Sequence, residues 1–369
     1  MSPGYFLMFI IVALIIYAGL HYYLYTRLAG GLALTGHAVL YLKIFLIVAA
    51  LSFFLGEVFS RTLHWSLLLW CGVIWLGIVA ISFSVFLVKD LVGLFLPGQV
   101  KALTLGALGL TVLISGFSLY NGTRAPRVKE LIIPIKKLPL SLAGFTIVQL
   151  SDLHLDDLKS TPWLADMVER TNALNPDLIV ITGDLVDEDI GRMNGFSAVL
   201  KQLKAKHGVY AVTGNHEYYA GIETFLKAAQ ELNITVLRNR HTTIAGALEL
   251  VGIDDRQGRN FGQPGEDLAG AFKDCDLTKP VILLAHRPEV FNESPRLGVD
   301  LQLSGHTHAG QIPPMDFLVW LYYRYPFGFY QNGDASLYTT FGTGTWGPPM
   351  RLFSRSEIVK IVLQPGPPF

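Results

Sequence analysis

The stretch Asn175 to Glu188, NPDLIVITGDLVDE, decides the fold. Leu178 to Ile181 is an unbroken run of branched apolar side chains, with Pro176 before it and Gly183 after it. A run this short, bounded by turn formers, is the pattern of a strand buried on both faces. Gly183 lets the backbone turn sharply at the strand's end, and Asp184 projects its carboxylate there. Open α/β sheets place their sites at that carboxyl end. A single Asp after a strand is ordinarily a turn former or helix cap. Repetition is what gives it meaning.

The same construction recurs along the chain. Ser151-Asp152-Leu153-His154 follows the run Phe145 to Leu150, and Gly214-Asn215-His216-Glu217 follows Val209 to Val212. His286 follows Val281 to Ala285, and Gly305-His306-Thr307-His308 follows Leu301 to Leu303. Half of the 10 histidines stand in these places; His21, His37, His64, His207 and His241 stand in no such motif and are read as ordinary. Carboxylates, imidazoles and one amide oxygen, with no thiolate, are donors for manganese, iron or zinc rather than for a structural zinc. They are too many for one ion. Two ions, about 3.5–4 Å apart in such sites, need a bridging carboxylate, and together they clamp the attacking and leaving oxygens of a phosphoryl displacement.

Further strand-like runs are Leu248 to Ile253, Leu337 to Phe341 and Ile358 to Leu363. Helical patterns lie between strands. Trp163, Leu164, Met167 and Val168 form a stripe, with Thr161 placed to cap and Pro162 in the first turn. Phe196 to Leu203 and Thr224 to Leu232 read similarly. Residues 141–369 therefore form an α/β domain. Residues 122–140 read as a linker, charged and broken by Pro126, Pro134 and Pro139, with Glu130 to Ile135 as a candidate edge strand.

The composition is 51% hydrophobic and 16% charged, against about a quarter charged in ordinary soluble proteins. The excess lies in residues 1–121. Tyr5 to Tyr25, Val39 to Phe59, Trp65 to Val88 and Ala102 to Tyr120 each meet the roughly 20 apolar residues of a spanning helix. Lys43 and Glu57, near the ends of the second span, read as snorkelling residues. Gly106, Gly109 and Gly116 are candidates for close helix contact. Four spans leave Arg61, Arg124, Arg127, Lys129, Lys136 and Lys137 on the side of the α/β domain, and Arg27, Lys89 and Lys101 on the other. That bias places the catalytic domain of a multi-pass protein in the cytoplasm. Cys71 and Cys275 lie in different regions, so no disulfide is expected. A net charge of zero gives no basis for a nucleic-acid partner.

The ordered blocks DLH, GDLVD, GNHE, a lone His and GHTH, from about Ser141 to Leu363, resemble the calcineurin-like metallophosphoesterases. The resemblance implies a two-sheet αββα sandwich beside the all-α membrane bundle. It implies that Asp152, His154 and His308 hold one metal ion and that Asn215, His286 and His306 hold a second, with Asp184 bridging. His216 would be the catalytic histidine. The cofactors would be two divalent ions, manganese first, iron or zinc as alternatives. Asp187 is a candidate to brace a ligand histidine, Glu217 to serve its own loop, and Arg351 to hold phosphate. The tail FGTGTWGPPMR, Phe341 to Arg351, together with GHTHAGQIP, resembles the membrane-associated branch of that family, which includes lipid-headgroup hydrolases.

The aromatic stretch Ile312 to Tyr330 reads either as a long loop packed on its own domain or as a lip that dips into the bilayer interface. The expected function is a membrane-anchored dinuclear-metal phosphoesterase acting on a phosphorylated lipid. The partners are the bilayer and a lipid or small phosphoester, with no nucleic acid. A tethered hydrolase of soluble nucleotides or diesters and a metal-stabilised interaction module are the alternatives. A transporter is disfavoured, because the spans carry almost no ionisable residue at mid-depth.

Overall fold

The computed structural model describes residues 3–63 and 66–366 and divides into two compact units. The first comprises Met1–Arg124, Gly310–Leu318 and Gly347–Ser354; the second comprises Ala125–Ala309, Val319–Trp346 and Arg355–Phe369.

The first unit holds α1 (Pro3–Gly31), α2 (Gly36–Leu63), α3 (Leu67–Gly93) and α4 (Val100–Thr123). All four are long and apolar enough to cross a membrane. Their apolar side chains surround the helix, as expected where the outer face meets lipid. On α2, Ile47 and Val48 are about 60% exposed, whereas α3 buries Leu69, Val73, Ile81 and Phe86 and forms the centre. Trp65, the expected start of the third span, and His64 lie outside the described residues.

Close helix contact is made by different glycines from those expected. A Cβ on Gly106, Gly109 or Gly116 would meet nothing beyond its own helix within 4 Å among the described residues. A Cβ on Gly72 would instead meet the backbone of Phe53, and one on Gly56 the backbone of Leu69, so α2 and α3 touch main chain to main chain. Arg27 Nε lies 2.6 Å from Asp90 Oδ2, which ties the ends of α1 and α3 together. The Trp75 indole N–H donates to His21 Nε2 at 2.9 Å, pinning the same two helices. Glu57 pairs with Arg61 one turn on at 3.1 Å, and the Lys43 ammonium lies 5.4 Å from the Tyr25 ring centre.

The two later segments belong to this unit, so the expected boundary at residue 121 is corrected. Ile312 and Met350 pack with Ile81. The Arg351 N–H donates to the Ser118 carbonyl at 2.9 Å, and Asn121 Nδ2 donates to the carbonyls of Arg351 and Ser354, each at 2.9 Å. The carboxyl-terminal turns of α4 thus both accept from and donate to a distant part of the chain.

Among the described residues the second unit contains twelve strands: β1 (Arg127–Ile135), β2 (Thr146–Leu150), β3 (Leu178–Thr182), β4 (Val209–Val212), β5 (Ile234–Val236), β6 (Arg240–Ile244), β7 (Leu248–Gly252), β8 (Val281–Leu284), β9 (Leu301–Ser304), β10 (Gly328–Asn332), β11 (Ala335–Thr339) and β12 (Glu357–Pro365). They form two six-stranded mixed sheets, ordered β1-β12-β2-β3-β4-β5 and β10-β11-β9-β8-β7-β6. The runs read as strands correspond to β2, β3, β4, β7, β8, β9, β11 and β12. Residues 122–140 are not a linker, because β1 pairs in parallel with β12 over 9 residues. β1 is a sheet edge, which accommodates the missing donor of Pro134.

The core lies between the sheets, where Ile147, Val180 and Val359 of one meet Leu250, Ile282 and Leu303 of the other. Helices cover the outer face of the first sheet: α5 (Thr161–Ala173) contributes Leu164 and Met167, and α6 (Ile222–Glu231) contributes Phe225 and Ala229. The cap of α5 is Ser160, whose Oγ accepts from Trp163 N at 3.3 Å, one residue before the expected Thr161. Within Phe196 to Leu203 only Ser197–Leu200 is α-helical. β2, β3 and β4 are mutually parallel, as are β8 and β9, so the carboxyl ends of each set share one edge.

Candidate metal centre

The loops at those carboxyl ends bring the sequence's candidate ligands together. One group comprises Asp152, His154 and His308, and another Asp184, His286 and His306; within each group the donor atoms lie within 4.8 Å of one another. His154 Nε2 is 3.0 Å from His308 Nε2, and His306 Nδ1 is 3.0 Å from His286 Nε2. Asp184 stands between the groups. Its Oδ2 is 3.2 Å from His286 Nε2 and 3.7 Å from His154 Nε2. Asn215 follows β4 on the side of the second group, where Arg287 Nη2 lies 3.4 Å from its Oδ1. A third group, His154, Asp184 and His216, brings the presumed catalytic histidine equally close.

The backbone is bent to make this possible. Asp152, His154, Asp184, His306 and His308 all have left-handed φ, between 45° and 73°. Such a conformation costs a non-glycine residue roughly 1–3 kcal/mol. Five of them rival the net stability of a whole domain, about 5–15 kcal/mol. The loops are held by hydrogen bonds between themselves: Asp152 N to Gly183 O and His154 N to Asp184 O, both 3.1 Å. The tail motif contributes as well. Thr343 N donates to Ser151 O at 2.8 Å and Gly344 N to Asp152 O at 3.1 Å.

Two glycines matter for space rather than for turning. A Cβ on Gly214 would overlap Asp184 Oδ1, and one on Gly305 would overlap Ser151 Oγ and Asp152 Oδ2. Each glycine next to a ligand clears the volume that another ligand's carboxylate occupies.

The arrangement asks for a cation. Asp152 and Asp184 are at most 2% exposed, and buried carboxylates need compensating charge. Burial raises the Asp152 pKa. Burial would raise Asp184 too, but His286 and His216 outweigh it and hold that carboxyl well below its usual range. Burial opposes protonation of His286, yet Asp184 outweighs it and raises the imidazole to about 10. Protons on histidines thus stand where metal charge fits. The other nitrogens are already directed away: His286 Nδ1 is 2.9 Å from the Thr182 carbonyl and His154 Nδ1 is 3.0 Å from Asp187 Oδ1. Such partners fix tautomer and ring orientation for a metal. The residues present fit a pair of divalent ions.

Around the ligands the remaining candidates divide. Asp187 braces two histidines: besides His154, its Oδ1 lies 2.9 Å from His216 Nδ1. Glu217 serves the loop, accepting from the N–H groups of Asp184, Leu185 and Gly214 at 2.6–3.0 Å. Burial and the Asp184 charge push it up to about 7. Arg351 does not join the group. It falls in the first unit, fully buried, with Nη1 donating to Ser354 Oγ at 2.9 Å. A guanidinium sealed in packing cannot receive a substrate from solvent, so the phosphate role expected for it is corrected.

Arg287 supplies a guanidinium where Arg351 does not. Its Nε donates to Asp255 Oδ2 at 2.7 Å, and its Nη1 lies 2.6 Å from His306 Nε2. Tyr323 Oη is 3.0 Å from the same nitrogen. The sequence held the signal: Asp254-Asp255 follows the strand run Leu248 to Ile253, and Arg287 adjoins His286. An aromatic wall faces His216, with Tyr219 at 5.1 Å and Trp346 at 6.1 Å between ring centres.

A fold of two mixed sheets with histidine and aspartate ligands at converging strand ends defines a metallophosphoesterase. The family model for calcineurin-like phosphoesterases matches residues 145–310. A transmembrane protein with a metallophosphoesterase domain from Danio rerio is 38% identical over 273 residues, 71% of this chain and 62% of that protein. A metallophosphoesterase of Helicobacter pylori is 37% identical over 277 residues, 73% of this chain and 74% of that protein. A solved dimetal phosphatase from Danio rerio is 15% identical, with a TM-score of 0.37, over 60% of this chain and 93% of that chain. The chain belongs to the calcineurin-like metallophosphoesterases. It covers less than two thirds of the length of its Danio rerio transmembrane relative.

Proposed function

We propose that the protein is a dinuclear-metal phosphoesterase that hydrolyses a phosphorylated lipid at the surface of the membrane its helices enter. Asp152, His154 and His308 would hold one ion and Asn215, His286 and His306 the other, with Asp184 shared. When bound, such ions supply Lewis acidity and a nucleophile at neutral pH. The chain's own residues do the rest. Arg287, fixed by Asp255, offers donors to a phosphoryl oxygen. Burial would lower the His216 pKa, but the Asp184 charge and the Asp187 hydrogen bond outweigh it and raise it to about 9. Held by Asp187 through Nδ1, His216 is set to deliver a proton to the departing oxygen.

The observation that carries the lipid reading is α7 (Met315–Tyr322), a helix in the aromatic stretch with no buried residue. Trp320, Leu321 and Tyr322 are 59–76% exposed. A contiguous apolar surface of this kind marks an interaction site, and Trp and Tyr collect at the bilayer interface. The next residue, Tyr323, touches His306. Acyl chains retained at such a surface would leave little new apolar area in water while the head group reaches the ligands. Replacing Trp320, Leu321 and Tyr322 by Ser is expected to lower kcat/KM at least tenfold on a long-chain lipid phosphate in vesicles. Hydrolysis of a small soluble diester should change by less than twofold. Tyr323 is left in place because of its contact with His306. Equal losses on both substrates would remove the lipid reading and favour a tethered hydrolase of soluble esters.

The same reading puts the catalytic unit in the cytoplasm. Support comes from the basic residues that follow α4, Arg124, Arg127 and Lys129. A carboxyl-terminal reporter enzyme that works only in the cytoplasm should be active. Activity confined to a reporter of the opposite compartment would reverse the orientation.

A further inference from the structure

Beside Arg287 lies a cavity of about 460 Å³, and Arg287 is part of its wall. The same guanidinium reaches His306 with Nη1. Arg287 therefore stands between the cavity and the second group of candidate ligands. Its other walls carry Arg256 and Arg259 on one hand and Glu266, Asp267, Glu289 and Glu293 on the other. With Arg287 that is three guanidinium groups against four carboxylates, which come close to cancelling, so the cavity is neither an anion site nor a cation site. A second phosphate would meet carboxylates, and an ammonium would meet guanidinium groups.

A neutral hydroxyl both donates and accepts, and a ring bearing several of them satisfies both kinds of wall at once. The walls have capacity to spare. Arg256 and Glu289 lie 3.8 Å apart, beyond hydrogen-bond distance, so neither satisfies the other. The volume suffices for a sugar or cyclitol ring with water around it.

We propose that this cavity receives the polyhydroxylated head group of the substrate, a sugar or cyclitol ring joined to the phosphate that Arg287 and the metal ligands hold. The inference rests on the phosphoesterase reading and adds the chemistry of the group beyond phosphorus. It does not depend on the lipid part.

The test is competition. The full-length protein, loaded with manganese in detergent micelles, hydrolyses bis(4-nitrophenyl) phosphate in the presence of inorganic phosphate, phosphoethanolamine or myo-inositol 1-phosphate. Inositol phosphate should inhibit at a concentration at least about tenfold below that of phosphate, inside the roughly thirtyfold that two hydrogen bonds of about 1 kcal/mol would give. Phosphoethanolamine should be no better than phosphate. Arg256→Ala and Glu289→Gln should each reduce the tenfold ratio to about twofold. Equal inhibition by all three compounds, or a ratio that survives both substitutions, would overturn the proposal. Failure to hydrolyse the chromogenic ester would count against the phosphoesterase reading instead. The same ratio is then read by calorimetric titration of the manganese-loaded protein, with the same outcomes deciding.

Discussion

Asp184→Ala is expected to lose both metal ions, where His154→Ala weakens mainly one. Asp184 is the carboxylate that both groups of histidines approach, at 3.2 Å from His286 and 3.7 Å from His154. Partners that touch only the ligands change metal affinity or activity by roughly 10–100-fold. Removing a donor common to two ions should exceed that, so activity should fall by more than about 100-fold. Metal analysis after equilibration with excess manganese reads the result directly. Wild-type stoichiometry near two and a variant near zero is the expected pair of values. Asp184 Oδ1 also accepts from His216 N at 3.0 Å, so the alanine variant loses a structural bond as well. Asp184→Asn keeps that acceptor and the shape, and should still lose the metals because the charge is gone. Wild-type protein binding clearly less than one ion under metal-replete conditions would sink the dinuclear reading. So would an asparagine variant that retains both.

The cluster of candidate ligands was legible because each sits at the end of a short apolar run, and strand ends concentrate chemistry for a backbone reason. The loop after a parallel strand leaves the sheet and can turn through unusual φ without breaking a ladder. Asp152, Asp184 and His306 do so, and Gly183 and Gly305 beside two of them advertise it in the sequence. The four long apolar helices were legible from length and composition alone. What escaped depended on distant contacts. β1 looked like a linker because its charges and Pro134 are tolerated only at an edge, and being an edge is a property of the whole sheet. β6, RHTTI, is polar and only Ile244 is buried, so its sequence carries no apolar alternation. Gly56 and Gly72 face backbone while Gly106, Gly109 and Gly116 face nothing beyond their own helix within 4 Å among the described residues, a difference set by helix rotation.

The two arginines make the same point in reverse. Arg351 stands in a motif that invites a phosphate role, yet it is spent on Ser354 and on packing in the first unit. Arg287 stands in no motif singled out from the sequence, but a buried Asp255 fixes it beside His306. A long side chain is committed by its partners, and which partner it meets is settled only when the fold brings the segments together.

His216→Ala should keep its metals and lose turnover. A positioned acid or base contributes about 10²–10⁴-fold, and that is the expected drop in kcat. The argument for a catalytic rather than a ligating role is the imidazole's bonding. Asp187 takes His216 Nδ1 through its carboxylate at 2.9 Å and through its carbonyl at 3.0 Å, and Trp346 and Tyr219 stand against the ring. The remaining nitrogen is left to face the site. The geometry also contains the opposing case, since His154, Asp184 and His216 lie close enough to hold an ion among themselves. Metal content separates the two. A variant that retains close to two ions per chain and loses at least about 100-fold in kcat places His216 at the reacting oxygen. A variant that loses an ion in parallel with activity makes His216 a ligand. Near-normal turnover on the best substrate would leave it with neither role, and the proton for the leaving group would have to come from elsewhere.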